Sequence, residues 1–154
     1  MINIQGDEPL IQGALIDNLV HYLKKNPDIP VVTAVKRING MPTEEPNIVK
    51  VVAGQLKDKK VALYFSRAGI PFYRNQDQSN SFFLRHIGIY GFQKTALLDF
   101  ANLEKSHLEE AESLEQLRWL ENGFAVRVGL TEHPSFCVDT PADLEEARRR
   151  AGAL

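Results

Sequence analysis

The sequence predicts an α/β fold built on a mixed sheet. Three observations carry this. β-Branched runs alternate with helical stripes of apolar residues along the chain. Two apolar runs, 48–53 and 61–67, flank the polar turn "GQLKDKK" and read as a hairpin, which brings an antiparallel pair into the sheet. The length of 154 residues and the 44% hydrophobic content suit one ordinary core, so 1–154 reads as a single domain. No repeat, low-complexity tract or linker divides it.

The elements follow in order. "INI" at 2–4 is the end of a strand. "EPLIQGALIDNLVHYLKK" places Leu15, Ile16, Leu19, Val20 and Leu23 on one helical stripe, and "NPDIP" stops it. "VVTAVKRI" is a strand by its β-branched content, and "NGMPTEEPN" is a loop. After the hairpin, "AGIPFYRNQDQSNS" reads as a long polar loop, "FFLRHIGIYGF" as a strand and "KTALLDFANL" as a short helix. "SHLEEAESLEQLRWLENG" reads as one longer helix. Ser106 is its N-cap, Leu108, Leu114, Leu117 and Leu120 face inward, and Gly123 ends it. "FAVRVGL" is a strand, and "DTPADLEEARRRA" a last helix with Thr140 as N-cap, Pro141 at the first position and Asp143 completing a capping box.

Charge and composition exclude several classes. A net charge of −2 gives no field that favours nucleic acid or an anionic membrane. No apolar run approaches the ~20 residues a spanning helix needs, and the N-terminus lacks a basic segment followed by a long apolar one. We therefore expect no nucleic-acid partner, no membrane insertion and a cytoplasmic location. A single cysteine, Cys137, excludes an internal disulfide and a zinc site built from cysteines, and reads as a small buried hydrophobe. There is no His-x-x-x-His pair, nucleophile elbow or Walker-type glycine loop. His21, His107 and His133 read as surface or loop residues.

Five stretches could carry chemistry. In "QGDEP", Gly6 lets the backbone approach a ligand and Asp7 offers a carboxylate to a hard cation; Asp7, Glu8 and Pro9 equally suit a helix start. In "FCVDTP", Asp139 could reach the same cation, or serve only as an acid near a helix N-terminus. "YFSRAGIPFYR" carries Arg67 and Arg74, suited to a carboxylate or phosphate, or to a solvated loop. "LRHIGIYGF" puts His86 and Tyr90 on one strand face, with Gly88 between them leaving room for a ligand; the alternative is a hydrogen-bonded core pair. "SLEQLRWLE" sets Glu115 and Gln116 at the border of a leucine face, with Glu112 and Glu115 as helix neighbours.

Taken in order, "NIQGDEPLI", "YFSRAGIPFYR", "FLRHIGIYGF", "LEQLRWLENG" and "VDTPADLEEAR" resemble the 3-deoxy-manno-octulosonate cytidylyltransferases, the CMP-Kdo synthetases. The resemblance implies a Rossmann-like, GT-A-like nucleotidyltransferase fold. It also implies a reaction: the anomeric hydroxyl of the eight-carbon acid sugar Kdo attacks the α-phosphorus of CTP, giving CMP-Kdo and pyrophosphate for lipopolysaccharide biosynthesis. By the same resemblance Asp7 and Asp139 are the catalytic carboxylates that hold Mg²⁺. Gln5, Arg67, Arg74, His86, Tyr90, Glu115 and Gln116 match the sugar-acid pocket, with Arg67 or Arg74 on the Kdo carboxylate. The subunits are expected to pair as homodimers, with the strand around His86 near the contact.

The chain departs from that family pattern at its start. Family members carry a strand, a phosphate-holding loop rich in Arg, Ser, Gly and Lys, and further α/β units before the match to "QGDEP". We expect the chain to correspond to the C-terminal part only, with the N-terminal nucleotide-binding part missing and the isolated chain inactive. Two alternatives follow: a cytidylyltransferase for another acid sugar, such as an 8-amino Kdo analogue or sialic acid, and a non-catalytic dimerising remnant.

Overall fold

The computed structural model describes residues 1–56, 59–74 and 80–152. Among the described residues, six strands and five helices run in the order β1 (Ile2–Ile4), α1 (Gly13–Lys25), β2 (Val31–Asn39), β3 (Lys50–Leu56), β4 (Lys59–Ser66), β5 (Phe82–Phe92), α2 (Lys94–Ala101), α3 (His107–Glu112), α4 (Gln116–Glu121), β6 (Val126–Leu130) and α5 (Pro141–Ala151).

The six strands form one sheet in the order β1-β5-β2-β6-β4-β3. The β2–β6 pair is parallel and every other pair is antiparallel, so the sheet is mixed as the sequence predicts. A further β3–β5 pairing, Lys50 opposite Arg85 and Val51 opposite Leu84, closes a circuit through β5, β2, β6, β4 and β3. Strand β5 is therefore central. β2 pairs along one side of β5, and β1 and β3 share its other side.

Period-two alternation sorts the strand residues onto two faces. Val31 and Val35 of β2, Val51 of β3, Phe65 of β4, and Tyr90 and Phe92 of β5 enter the larger core beneath Phe100, Leu117 and Trp119. Val32, Ala34, Ile87 and Ile89 enter the smaller one, against Leu15, Leu19 and Leu23 of α1. Burying each such leucine stabilises the fold by about 1.5–3 kcal/mol.

The structure revises three boundaries. α1 starts at Gly13 with Gln12 as N-cap, so Asp7 caps nothing and 5–12 is free to form a separate turn. The hairpin strands run closer together than "GQLKDKK" suggests, pairing out to Leu56 and Lys59; turn residues 57 and 58 lie outside the described residues. The helix expected over 106–123 is two. Ser113 adopts the left-handed conformation at φ 52°, which ends α3 and starts α4 three residues later. Glu109 and Arg118 hold the break, through bonds of 2.6 and 2.5 Å from the guanidinium Nε and Nη2. Glu112 and Glu115 consequently belong to different elements. The capping box of Thr140 with Asp143 forms as expected, and Ser106 caps α3 as expected, completing a second box with Glu109.

Candidate active site

The site gathers around the middle of β5, where the strand changes register. Thr33 of β2 pairs with Tyr90, but the next residue, Ala34, pairs with Ile87, so Gly88 and Ile89 bulge out of the ladder. The bulge inserts two residues, which keeps His86 and Tyr90 on one face. Gly88 does leave room, but for protein. A Cβ there would lie 2.5 Å from Gln5 Oε1 and 3.2 Å from Glu8 Cγ. The backbone N–H of Gln5 also donates to Gly88 O at 2.9 Å, fixing the turn 5–8 against the bulge.

That turn meets the segment entering α5. The N–H of Val138 donates to Asp7 O at 2.8 Å. Ligand atoms of Asp7, Cys137 and Asp139 all fall within 4.8 Å of one another. Cys137 is half-buried rather than a core hydrophobe. Its thiol donates to Asp7 Oδ2 at 3.4 Å, and burial together with the two carboxylates pushes its pKa up. Asp7 Oδ1 is shielded from solvent with no hydrogen-bond partner among the described residues. Behind it Glu8, 4% exposed, carries an unpartnered Oε2, and burial raises its carboxyl pKa despite the Gly88 backbone and Arg85. An orphaned, shielded carboxylate oxygen beside a second carboxylate is a donor set that fits a hard divalent cation.

Beside this cluster opens a cavity of about 330 Å³ lined by Gln5, Asp7, Arg67, His86, Glu115, Gln116 and Asp139, with Asn47, Val49, Ser113 and Leu114 completing the wall. Seven of the nine residues predicted from the sequence meet here. Asn47 and Asp139 also border a neighbouring cavity of about 370 Å³ that runs to Arg85, Thr140 and Asp143.

His86 has a defined proton arrangement. The Thr33 hydroxyl donates to Ile89 O at 2.8 Å, which uses its one proton. Its 2.9 Å contact with His86 Nε2 must then run from the ring N–H to the hydroxyl oxygen. The imidazole is neutral with Nδ1 unprotonated, an acceptor on a cavity wall. Burial reinforces this by lowering the His86 pKa to about 3.

Arg67 is anchored. Its guanidinium donates to Glu112 O at 2.8 Å, Pro46 O at 2.9 Å and Ser113 O at 3.3 Å, occupying three of its five N–H groups. Glu112 in turn accepts from Ser66 Oγ at 2.6 Å and the Arg67 N–H at 2.9 Å. The helix break therefore serves the site: it turns Glu112 toward β4 and Glu115 and Gln116 toward the cavity. Lys50, fully buried, donates to Glu45 O at 2.9 Å and to Arg67 O.

Two predicted residues lie elsewhere. Tyr90 is 0% exposed and does not line the cavity; it packs against His86, Phe92 and Trp119, and its hydroxyl has no hydrogen-bond partner among the described residues. It backs the His86 ring. Arg74 is exposed on the segment after β4 and does not reach the cavity; loop residues 75–79, part of the expected polar loop, lie outside the described residues. Sequence reading did not assign Thr33, Asn47, Glu112 or Cys137 to the site. Only Cys137 carried a signal, standing two residues before Asp139. Among the described residues no helix is long and apolar enough to cross a membrane.

Comparison with known proteins finds relatives of this chain. A family model described as cytidylyltransferase matches residues 1–131. The protein named 3-deoxy-manno-octulosonate cytidylyltransferase from Thermodesulfovibrio yellowstonii is 50% identical over 155 residues, covering 97% of this chain and 59% of that protein. The one from Solibacter usitatus is 47% identical over 151 residues, covering 97% and 58%. The structure of a CMP:2-keto-3-deoxy-manno-octonic acid synthetase complexed with CTP superposes with a TM-score of 0.84 at 37% identity, over 99% of this chain and 62% of that one. The chain spans about three fifths of the length of these relatives.

Proposed function

This chain belongs to the cytidylyltransferase family, and on that premise we propose that the intact protein transfers CMP from CTP to the anomeric hydroxyl of Kdo, releasing pyrophosphate, as a cytoplasmic step toward lipopolysaccharide. The observation that carries the reading is the convergence of Asp7 and Asp139 on the wall of the same cavity as Gln5, Arg67, His86, Glu115 and Gln116.

Asp7 and Asp139 would hold Mg²⁺. When bound, Mg²⁺ neutralises triphosphate charge and increases the acidity of a neighbouring sugar hydroxyl. The remaining work is positional. Arg67 offers its free N–H groups to the sugar carboxylate, and because its other donors are fixed to backbone carbonyls, little rotamer freedom is lost on binding. His86 Nδ1 accepts from a sugar hydroxyl, a role only the neutral ring can take. Glu115 accepts from further hydroxyls, and Gln116 and Gln5 supply both a donor and an acceptor. Arg74 and a second copy of the chain remain proposed contributors from the family resemblance.

The test is CMP-Kdo formation by the intact protein from CTP, Kdo and Mg²⁺, with the 8-amino analogue and sialic acid as competing substrates. Asp7→Asn and Asp139→Asn should each lower kcat by roughly 10²- to 10³-fold. Turnover that ignores both substitutions, or prefers sialic acid, contradicts the proposal.

A further inference from the structure

Lys50 is a buried charge that the proposed reaction leaves without a task. It opens β3, pairs with Ser66 of β4 and Arg85 of β5, and is 0% exposed. Burying an ammonium is costly unless its charge and its donors are met. Here backbone meets the donors: Nζ donates to Glu45 O at 2.9 Å and to Arg67 O. The carboxylates of Glu44, Glu45 and Glu112 lie near enough to favour the charge, and the Arg67 guanidinium opposes it.

The two carbonyls belong to segments whose placement matters. Arg67 follows β4 directly and brings its guanidinium to the cavity wall. Residues 44–47 are exposed and lie in neither strand nor helix. Their own bonds are local: the Asn47 N–H donates to Glu45 Oε1 and the Ile48 N–H to Glu45 O, each at 3.2 Å. Two side chains tie the stretch to the sheet. Lys50 Nζ holds Glu45 O, and Arg67 Nη1 holds Pro46 O at 2.9 Å. The same ammonium therefore fixes Arg67 at its main chain and, one peptide from Glu45, the carbonyl that receives the guanidinium. Asn47, the next residue, lines the same cavity.

We propose that Lys50 is a positioning residue: it latches the 44–47 stretch to the end of β4, so that the Arg67 guanidinium stands preset on the cavity wall for the sugar carboxylate. The inference rests on the reading above that Arg67 meets that carboxylate. Methionine at this position fills similar space but offers neither carbonyl a donor. The stretch then loses its hold on β4, Pro46 O moves with it, and the cost of ordering Arg67 returns at the moment of binding.

The experiment has two arms on the intact protein, with wild type, Lys50→Met and Lys50→Gln, each checked for native circular dichroism. Gln is too short to reach both carbonyls and should behave as Met does. The first arm uses no substrate. In ¹⁵N spectra the Arg67 guanidinium signals, identified by their loss in Arg67→Ala, should show separate Nη1 and Nη2 groups in wild type and merged, freely rotating ones in both Lys50 variants. The second arm is calorimetric titration of Kdo. Both variants should bind it about three- to tenfold more weakly, the range expected for reordering one long side chain, with KM for CTP and kcat little changed. In an Arg67→Ala background the same Lys50 substitutions should change Kdo affinity by no more than about twofold, because a residue that acts through Arg67 has nothing left to act on. Separate Nη signals that persist in the variants overturn the proposal. So does a Kdo loss of the same factor with and without Arg67, which would mark Lys50 as a merely structural residue. Wild type that does not bind Kdo defeats the functional reading, while merged signals in the variants would leave the latch on Arg67 standing.

Discussion

The buried, neutral His86 makes a quantitative prediction about stability and pH. Its pKa is about 3 in the folded protein because burial penalises the charged ring, and about 6.5 in the unfolded chain. Between these values the unfolded state binds the extra proton, so stability falls as pH falls through 6.5 toward 3 and is fully present above 6.5. At pH 5.5, one unit below the unfolded value, the loss is RT ln 11, or about 1.4 kcal/mol; at pH 7.5 it is under ~0.1 kcal/mol. The figure at pH 5.5 needs only a folded pKa well below 5.5, so it does not depend on the value of 3 itself. Glu8, whose pKa is raised, contributes with the opposite sign above the ordinary carboxylate range. The clean quantity is therefore a difference. Urea unfolding of wild type and His86→Gln at pH 7.5 and 5.5 should show wild type losing about 1.4 kcal/mol more than the variant across that interval. Equal losses would mean the ring is protonated in the folded state, and the arrangement with Thr33 would be wrong.

Two further substitutions probe the geometry. Thr33→Val removes the acceptor for His86 Nε2–H while keeping the shape; ¹⁵N spectra should show the ring leaving its single tautomer, with stability lower by about 1–3 kcal/mol for the unsatisfied buried groups. An unchanged tautomer would contradict the assignment. Gly88→Ala drives a methyl to within 2.5 Å of the Gln5 amide, so Gln5 should swing from the cavity; we expect weaker Kdo binding, with kcat altered far less than KM, and equal KM would count against Gln5 as a cavity residue.

Much of this architecture is legible in the sequence, because period-two and helical stripes report burial directly. The β2 and β5 runs, the Ser106 N-cap and the capping box of Thr140 with Asp143 appear where their residues predict them. The helix over 106–123 misleads because its leucines keep a helical period across Ser113, a residue with no obvious left-handed preference, and tertiary bonds from Glu109 and Arg118 decide the break. Tyr90 shows the limit of face assignment. It shares a face with His86, but the aromatic cluster around Trp119 covers it, and alternation along a strand carries no information on depth. Thr33 and Glu112 act through partners distant in sequence, in β5 and at the end of β4, so no local pattern marks them.

The central claim is that one cavity receives both the acid sugar and the cation. Calorimetric titration of Kdo into the intact protein with Mg²⁺, compared across wild type, Glu115→Ala and the Asp7→Asn, Asp139→Asn double variant, tests it most directly. Glu115 is exposed, so its loss should leave the fold intact. We predict one site in wild type, binding weaker by about tenfold or more in Glu115→Ala through the lost charged hydrogen bonds, and loss of the Mg²⁺ dependence in the double variant. Equal affinity in all three proteins would place the sugar elsewhere and contradict the account.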